Sequence, residues 1–309
     1  MRLIKPKFWE KKNNFLTILL IPFSVVILIL VKLKKLLIKP KKFKIPILCV
    51  GNIYLGGTGK TPTSIYIVRE LKKLNKNPVI IRKFYKDHID EHLMIKQATK
   101  TLIVDRKRSK AIEIAEKKYD LAIMDDGFQD QSIKKDLNIL CFNSNQLIGN
   151  GYIIPAGPLR ENLNAVRDAH IILINGDKSE HFEKKLKKIN SNIKIYYSNY
   201  IIKNISEFQN KDIYAFAGIG NPKNFFDILT SSNLNLKKSF IFPDHYEFNK
   251  SELIKILEEA TENNCEVVTT EKDFFRIENL GIGNIKCCKV SLEVIENQKF
   301  VSDIKKIYA

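Results

Sequence analysis

Apolar residues along this chain fall into two patterns. Residues 15–31 are a run of seventeen without a charge, bounded by lysines at 11, 12, 32, 34 and 35. Beyond residue 45 the apolar runs are short: 47–50, 78–81, 101–104, 121–124, 170–174, 193–197, 213–217, 240–242 and 267–269. Between several of them apolar positions recur every three or four residues, as at Ile65, Val68, Leu71 and Leu74, at Ile112 and Ala115 within 109–118, and over 223–229 and 253–260. Short continuous runs read as buried strands and the spaced positions as one-faced helices. Their alternation predicts an α/β chain, a mostly parallel sheet with flanking helices. Residues 198–211 lose periodicity and read as a connector. The expected domains are therefore 1–40, an apolar N-terminal segment; 41–200, a larger α/β domain; and 201–309, a smaller C-terminal α/β domain.

At about 1.5 Å per residue the first run spans roughly 26 Å, slightly short of a hydrocarbon core of about 30 Å. Pro22 is expected to kink it. A signal peptide would be followed by small residues, but Lys32-Leu33-Lys34-Lys35 follows here. A core helix would not be apolar on every face with lysines at both ends. Both flanks are basic, so orientation, and whether the segment spans or lies shallowly, stay open.

Charge and cysteines narrow the setting. Residues 1–44 hold twelve Lys or Arg against Glu10 alone, and so carry +11 of the net +18. The basicity thus flanks the apolar segment, which favours a membrane surface over nucleic acid as partner. Five cysteines without a Cys-x-x-Cys pair argue against a disulfide framework or a zinc site, and for a reducing, cytoplasmic setting. No obligate protein partner is inferred.

The chemistry concentrates in Gly51-Asn52-Ile53-Tyr54-Leu55-Gly56-Gly57-Thr58-Gly59-Lys60-Thr61-Pro62, between an apolar run and a helical pattern. Strand, glycine-rich loop and helix make a phosphate cradle, with backbone amides and the helix N-terminus facing one anion. Gly56, Gly57, Thr58, Gly59, Lys60 and Thr61 are the nucleotide-binding candidates. Lys60 would reach the outer phosphates and the Thr61 hydroxyl would ligate Mg²⁺. Tyr54 stands where the usual pattern has its first glycine. The run 121–124 ends in Asp125-Asp126, placed as the further Mg²⁺ anchor at the C-terminal edge of a parallel sheet. Arg160 and Glu161 follow Pro155-Ala156-Gly157-Pro158. Arg160 suits a phosphate and Glu161 sugar hydroxyls.

Several of these strings, taken in order, resemble the tetraacyldisaccharide 4′-kinases, the lipid A 4′-kinases of Gram-negative bacteria. They are Gly51-Asn52 through Pro62, Asp125-Asp126-Gly127-Phe128-Gln129, Gly149-Asn150-Gly151, Pro155 through Glu161, Pro243-Asp244-His245, and Thr270-Glu271-Lys272-Asp273. The resemblance implies transfer of the ATP γ-phosphate to the 4′-hydroxyl of a tetraacylated glucosamine disaccharide 1-phosphate, giving lipid IVA, with 1–40 as a membrane-associated segment, 41–200 as a P-loop NTPase-like kinase domain and 201–309 closing over the active-site cleft. That implies ATP and Mg²⁺ as cofactors and the cytoplasmic face of the inner membrane, with its lipid, as the setting. It also implies that Asp90, in Asp90-Glu91-His92-Leu93, pairs with His245 to take the hydroxyl proton. Lys60 completes the catalytic set, and Glu91, Gln129, Arg160 and Glu161 are the candidate substrate contacts. Ile89, His92 and Lys83 depart from the family's pattern around Asp90, and Asp130 replaces a histidine.

The alternative is a membrane-tethered P-loop ATPase or GTPase that switches a protein partner. Guanine selectivity would call for Asn-Lys-x-Asp or Thr-Lys-x-Asp, and Thr270-Glu271-Lys272-Asp273 has the wrong spacing.

Overall fold

A computed structural model describes residues 6–11, 14–85, 89–244 and 246–306. The first half of the chain forms α1 (Phe15–Leu37), β1 (Ile47–Gly51), α2 (Lys60–Lys73), β2 (Pro78–Lys83), α3 (Ile89–Thr99), β3 (Leu102–Asp105), α4 (Arg108–Ala115), β4 (Leu121–Asp125) and β5 (Leu137–Asn143). After a long loop come β6 (Ile171–Asn175), α5 (Glu180–Ile189), β7 (Lys194–Ile202), β8 (Asp212–Ala217), α6 (Pro222–Ser231) and β9 (Asn235–Ile241). The chain ends with α7 (Lys250–Glu262), β10 (Glu266–Thr270), α8 (Glu271–Ile277), β11 (Ile285–Cys288), β12 (Val290–Val294) and α9 (Asn297–Lys305).

Two compact units result: Met1–Phe84 with Thr101–Asn199 and Val294–Ala309, and Tyr85–Lys100 with Tyr200–Glu293. The third crossing lies beside residue 200. The exchange of residues 85–100 and 294–309 between units has no counterpart in the sequence pattern.

The large sheet has the order β12-β7-β6-β5-β1-β4-β2-β3. The pairs β6–β7, β5–β6, β1–β5, β1–β4, β2–β4 and β2–β3 are parallel. Every residue of β1, β4 and β6 is buried, which is why they read as unbroken apolar runs rather than alternating ones. Their side chains meet helix residues such as Ala111, Ile112 and Leu186 in one core. The strand order reverses around β1, with β2, β3 and β4 on one side and β5, β6 and β7 on the other. A ligand crevice belongs at the carboxyl ends of the strands there. Register pairs Val50 with Asp125, so the glycine loop and the two carboxylates leave that edge together.

The second unit holds a parallel sheet, β11-β10-β8-β9. Phe225, Phe226 and Leu229 fill one cluster against it, and Phe248, Leu253 and Ile256 fill another. Helix α3 packs on α8.

The connector expected over 198–211 is corrected in part: β7 continues to Ile202, and Ser198 is fully buried with its hydroxyl donating to Asn175 Oδ1. A polar pair on a strand interrupts the apolar pattern without ending the strand. The short runs missed α3, α8, α9, β5, β11 and β12. In α3 the apolar positions do not gather on one face, so no helical stripe marks it.

Helix α1 continues through Pro22, capped by Asn14, whose side chain accepts from the Leu16 amide. Among the described residues it is the one helix long and apolar enough to cross a membrane. Thirteen of its large apolar side chains are exposed, Phe15, Leu19, Phe23 and Leu30 among them. Its buried side chains are polar, Thr17 and Ser24.

Candidate active site

The loop between β1 and α2 turns on two glycines at positive φ. Gly59 caps α2 at φ 86°, a left-handed conformation that a side chain would strain, and Gly56 has φ 138°. Asn52 Nδ2 donates to Thr58 Oγ1 at 2.9 Å, and Thr63 Oγ1 donates to the Gly59 carbonyl at 2.8 Å. Asn175 Nδ2 holds the Thr58 carbonyl. Among the described residues, the hydrogen bonds found leave the amides of Gly57, Thr58 and Gly59 without an acceptor. Oriented amides of this kind, beside a helix N-terminus, make an anion hollow. Tyr54 keeps an ordinary backbone conformation, and its buried ring packs in the core cluster with Leu159, so no glycine is needed there.

The two carboxylates differ. Asp125 is fully buried, accepting from Thr61 Oγ1 at 3.0 Å and Ser64 Oγ at 2.9 Å, with Arg82 Nε at 3.4 Å. Asp126, at φ 53°, turns its carboxylate outward to Lys60 Nζ at 3.8 Å and Arg160 Nη1 at 3.0 Å. Asp tolerates that left-handed backbone at a cost of about 1–2 kcal/mol. Arg108 donates to the Asp126 carbonyl at 2.8 Å and pairs with Asp130 at 3.3 Å. Burial pushes the Asp126 carboxyl up. Lys60, Arg160, Arg108 and Arg82 more than reverse this, holding it below its ordinary value. Lys60, Arg82, Arg108 and Arg160 outnumber Asp125, Asp126 and Asp130 by one positive charge, a surplus that suits a polyanion. Thr61 and the two carboxylates form a hard-oxygen set, which fits Mg²⁺ with several waters retained.

The remaining candidates divide. Gln129 Nε2 donates to the Asn52 carbonyl at 2.8 Å and so braces the glycine loop. Arg160 belongs to the site directly, as above. Glu161 is 7% exposed and takes Lys35 Nζ at 2.5 Å, while its Oε1 is buried without a partner among the described residues. In the second unit Glu91 accepts from Lys272 at 3.1 Å. His245 and the side chain of Asp90 lie outside the described residues. Lys272 also lies 3.6 Å from Asp244, so it links the chain neighbours of Asp90 and His245. A groove of about 810 Å³ opens at the other edge of the large sheet, along Leu137, Ile171 and Lys194, and only Phe128 among its lining residues belongs to the motif strings.

The family model described as tetraacyldisaccharide-1-P 4′-kinase matches residues 16–309. The tetraacyldisaccharide 4′-kinase of Pelagibacter ubique is 39% identical over 314 residues, covering 99% of each chain. That of Rickettsia peacockii is 34% identical over 312 residues and 95% of each. The chain belongs to the tetraacyldisaccharide-1-P 4′-kinase family. A crystal structure of LpxK from Aquifex aeolicus in complex with ATP shares the fold, with a TM-score of 0.73 at 22% identity, over 96% of this chain and 100% of that one. Family membership also decides against the switch reading.

Sequence reasoning missed Arg82, Arg108, Ser64 and Lys272. A signal for Arg82 existed: a charge closing an apolar strand on the edge that carries the glycine loop. Arg108 sits among Arg106 and Lys107, and nothing in the sequence separates it from them.

Proposed function

We propose that this chain transfers the γ-phosphate of ATP to the 4′-hydroxyl of an acylated glucosamine disaccharide 1-phosphate, giving lipid IVA, at the cytoplasmic face of the inner membrane of a Gram-negative bacterium. The observation that carries the reading is family membership across residues 16–309. The amides of residues 57–61 hold the phosphate chain, and Lys60 and Arg160 lie against the transferring group. Phosphoryl transfer has a loose transition state, so fixed positive charge and positioning supply most of the rate. Thr61, Asp125 and Asp126 would hold Mg²⁺, which would supply further charge neutralisation when bound. Asp125, locked by Thr61, Ser64 and Arg82, acts chiefly by orienting Thr61. The unpartnered oxygen of Glu161 supports a hydrogen bond to a sugar hydroxyl, since leaving it unmade costs about 1–3 kcal/mol. Gln129 acts through Asn52, and Glu91 through Lys272. By the family motif, Asp90 orients His245, which accepts the hydroxyl proton.

Helix α1 lies along the membrane interface. Thr17, Ser24 and Lys35 contact the protein's own loop along roughly 27 Å of the helix, which supports an interfacial rather than a spanning placement. Burying each exposed Leu, Ile or Phe is worth about 1.5–3 kcal/mol, so the outer face is a strong lipid anchor.

The test is incubation with γ-labelled ATP, Mg²⁺ and the acylated disaccharide 1-phosphate in mixed micelles. Label is expected on the lipid at the 4′ position. Hydrolysis of ATP without labelled lipid would overturn the reading.

A further inference from the structure

Helix α1 has an inner edge that anchoring alone does not explain. Thr17, Ser24, Leu28 and Lys35 are spaced seven, four and seven apart, so they share one face. Thr17 and Ser24 are the polar residues of an otherwise apolar run, and both are buried against the loop over 149–161. Ser24 Oγ donates to the Ile153 carbonyl at 2.8 Å and accepts from the Ala156 amide at 3.1 Å. Asn150 Nδ2 donates to Thr17 Oγ1 at 3.3 Å and to the Ala156 carbonyl at 2.9 Å. Trp9, just before the helix, donates its indole N–H to the Pro155 carbonyl at 3.0 Å. At the far end Lys35 pairs with Glu161.

The same loop is laced to the anion hollow on its other side. Leu55 N–H donates to the Pro158 carbonyl at 2.8 Å, and Arg160 N–H donates to the Ile53 carbonyl at 2.7 Å. Arg160 then reaches Asp126. Gly157 shows how tight the passage is: a Cβ there would lie 2.2 Å from Asn150 Oδ1 and 2.4 Å from the Tyr152 carbonyl. The connection runs from Ser24 through Ile153 and Ala156 to Pro158 and Arg160, and on to the glycine loop.

We propose that Ser24, with Thr17 and Lys35, is a positioning residue: the inner face of α1 sets the loop that aims Arg160 at the phosphate site. A pure anchor needs no buried polar stripe. A polar group placed in an apolar helix persists where its hydrogen bonds are satisfied, and here the partners are the backbone of a site loop. The membrane helix is thus part of the catalytic frame, and holding it at the bilayer surface also holds the loop.

The test compares wild type, Ser24→Ala, Lys35→Met and, as a control on the outer face, Ile18→Ala. Amide hydrogen exchange is read first, because it does not depend on the proposed reaction. Exchange over residues 153–160 and at Leu55 is expected to quicken about tenfold in Ser24→Ala, the order of two ordinary hydrogen bonds, with β4 unchanged. Ile18→Ala should match wild type. Unchanged loop exchange in both Ser24→Ala and Lys35→Met would overturn the proposal, whatever the enzyme does. Kinetics form the second arm, and only this arm rests on the kinase reading. Ser24→Ala should lower kcat about tenfold with KM for the lipid little changed, and should cost no more in an Arg160→Ala background. Multiplicative losses would place Ser24 outside the Arg160 pathway and overturn the positioning role. If wild type labels no lipid, the kinase reading falls, and the exchange arm still decides this proposal.

Discussion

Lys60 and Asp126 are the single residues at which the proposed chemistry is most directly tested. Lys60 is the cation beside the Gly59–Thr61 turn, close enough to Asp126 to be held in place without being neutralised by a tight pair. Lys60→Ala is expected to lower turnover by about 10²-fold or more, the scale of losing a prearranged charge near developing negative charge. Near-normal turnover in a labelled-phosphate assay would remove Lys60 from the mechanism. Asp126 gives a pH prediction. Its folded pKa lies below its ordinary value of 3.8, so its contribution to stability is full above that value and is lost as pH falls through the folded pKa. The Tm gap between wild type and Asp126→Asn should therefore be constant near neutral pH and shrink only on strong acidification. A gap that widens on acidification would mean the sign is wrong.

At the scale of elements, α1 has two faces with different surroundings. Its outer face carries Phe23 and Leu30, 61% and 60% exposed. Phe23→Lys with Leu30→Lys should weaken vesicle binding at least about tenfold, since each side chain loses about 1.5–3 kcal/mol of apolar burial. Unchanged flotation with vesicles would put the anchor elsewhere. The apolar run itself was legible because seventeen uncharged residues need no partner to be noticed. Thr17 and Ser24 stood in plain view within it, but a hydroxyl in a hydrophobic run has no meaning until its partner is known. That partner lies more than 120 residues away in sequence.

For the whole molecule, the division into units matters most. Asp90 and His245 fall in the two chain segments that make up the second unit, Tyr85–Lys100 and Tyr200–Glu293. Lys272 joins their neighbours Glu91 and Asp244. Asp90→Ala and His245→Ala should therefore be about equally slow and the double variant no slower, because members of one unit are non-additive. Fully multiplicative rate losses would dissolve the pair.

The sequence by itself determined what depends on near neighbours. Strand, glycine loop and helix lie within some thirty consecutive residues, and a buried parallel strand announces itself by an unbroken apolar run. The α/β class, the glycine-rich turn, the place of Asp125 and Asp126 at a strand end, and the apolar N-terminal helix were all legible at that range. Tertiary structure alone decided which charges meet. Arg82 and Arg108 join Lys60 and Arg160 because the sheet order brings the ends of β2 and β4 beside the glycine loop, and Arg108 follows from β3. Residues 85–100 leave the first unit for the second, and the inner edge of α1 finds the loop over 149–161. Charge pairing and hydrogen bonding act over a few ångströms of space, and the distance along the chain that separates the partners leaves no periodic trace in the sequence.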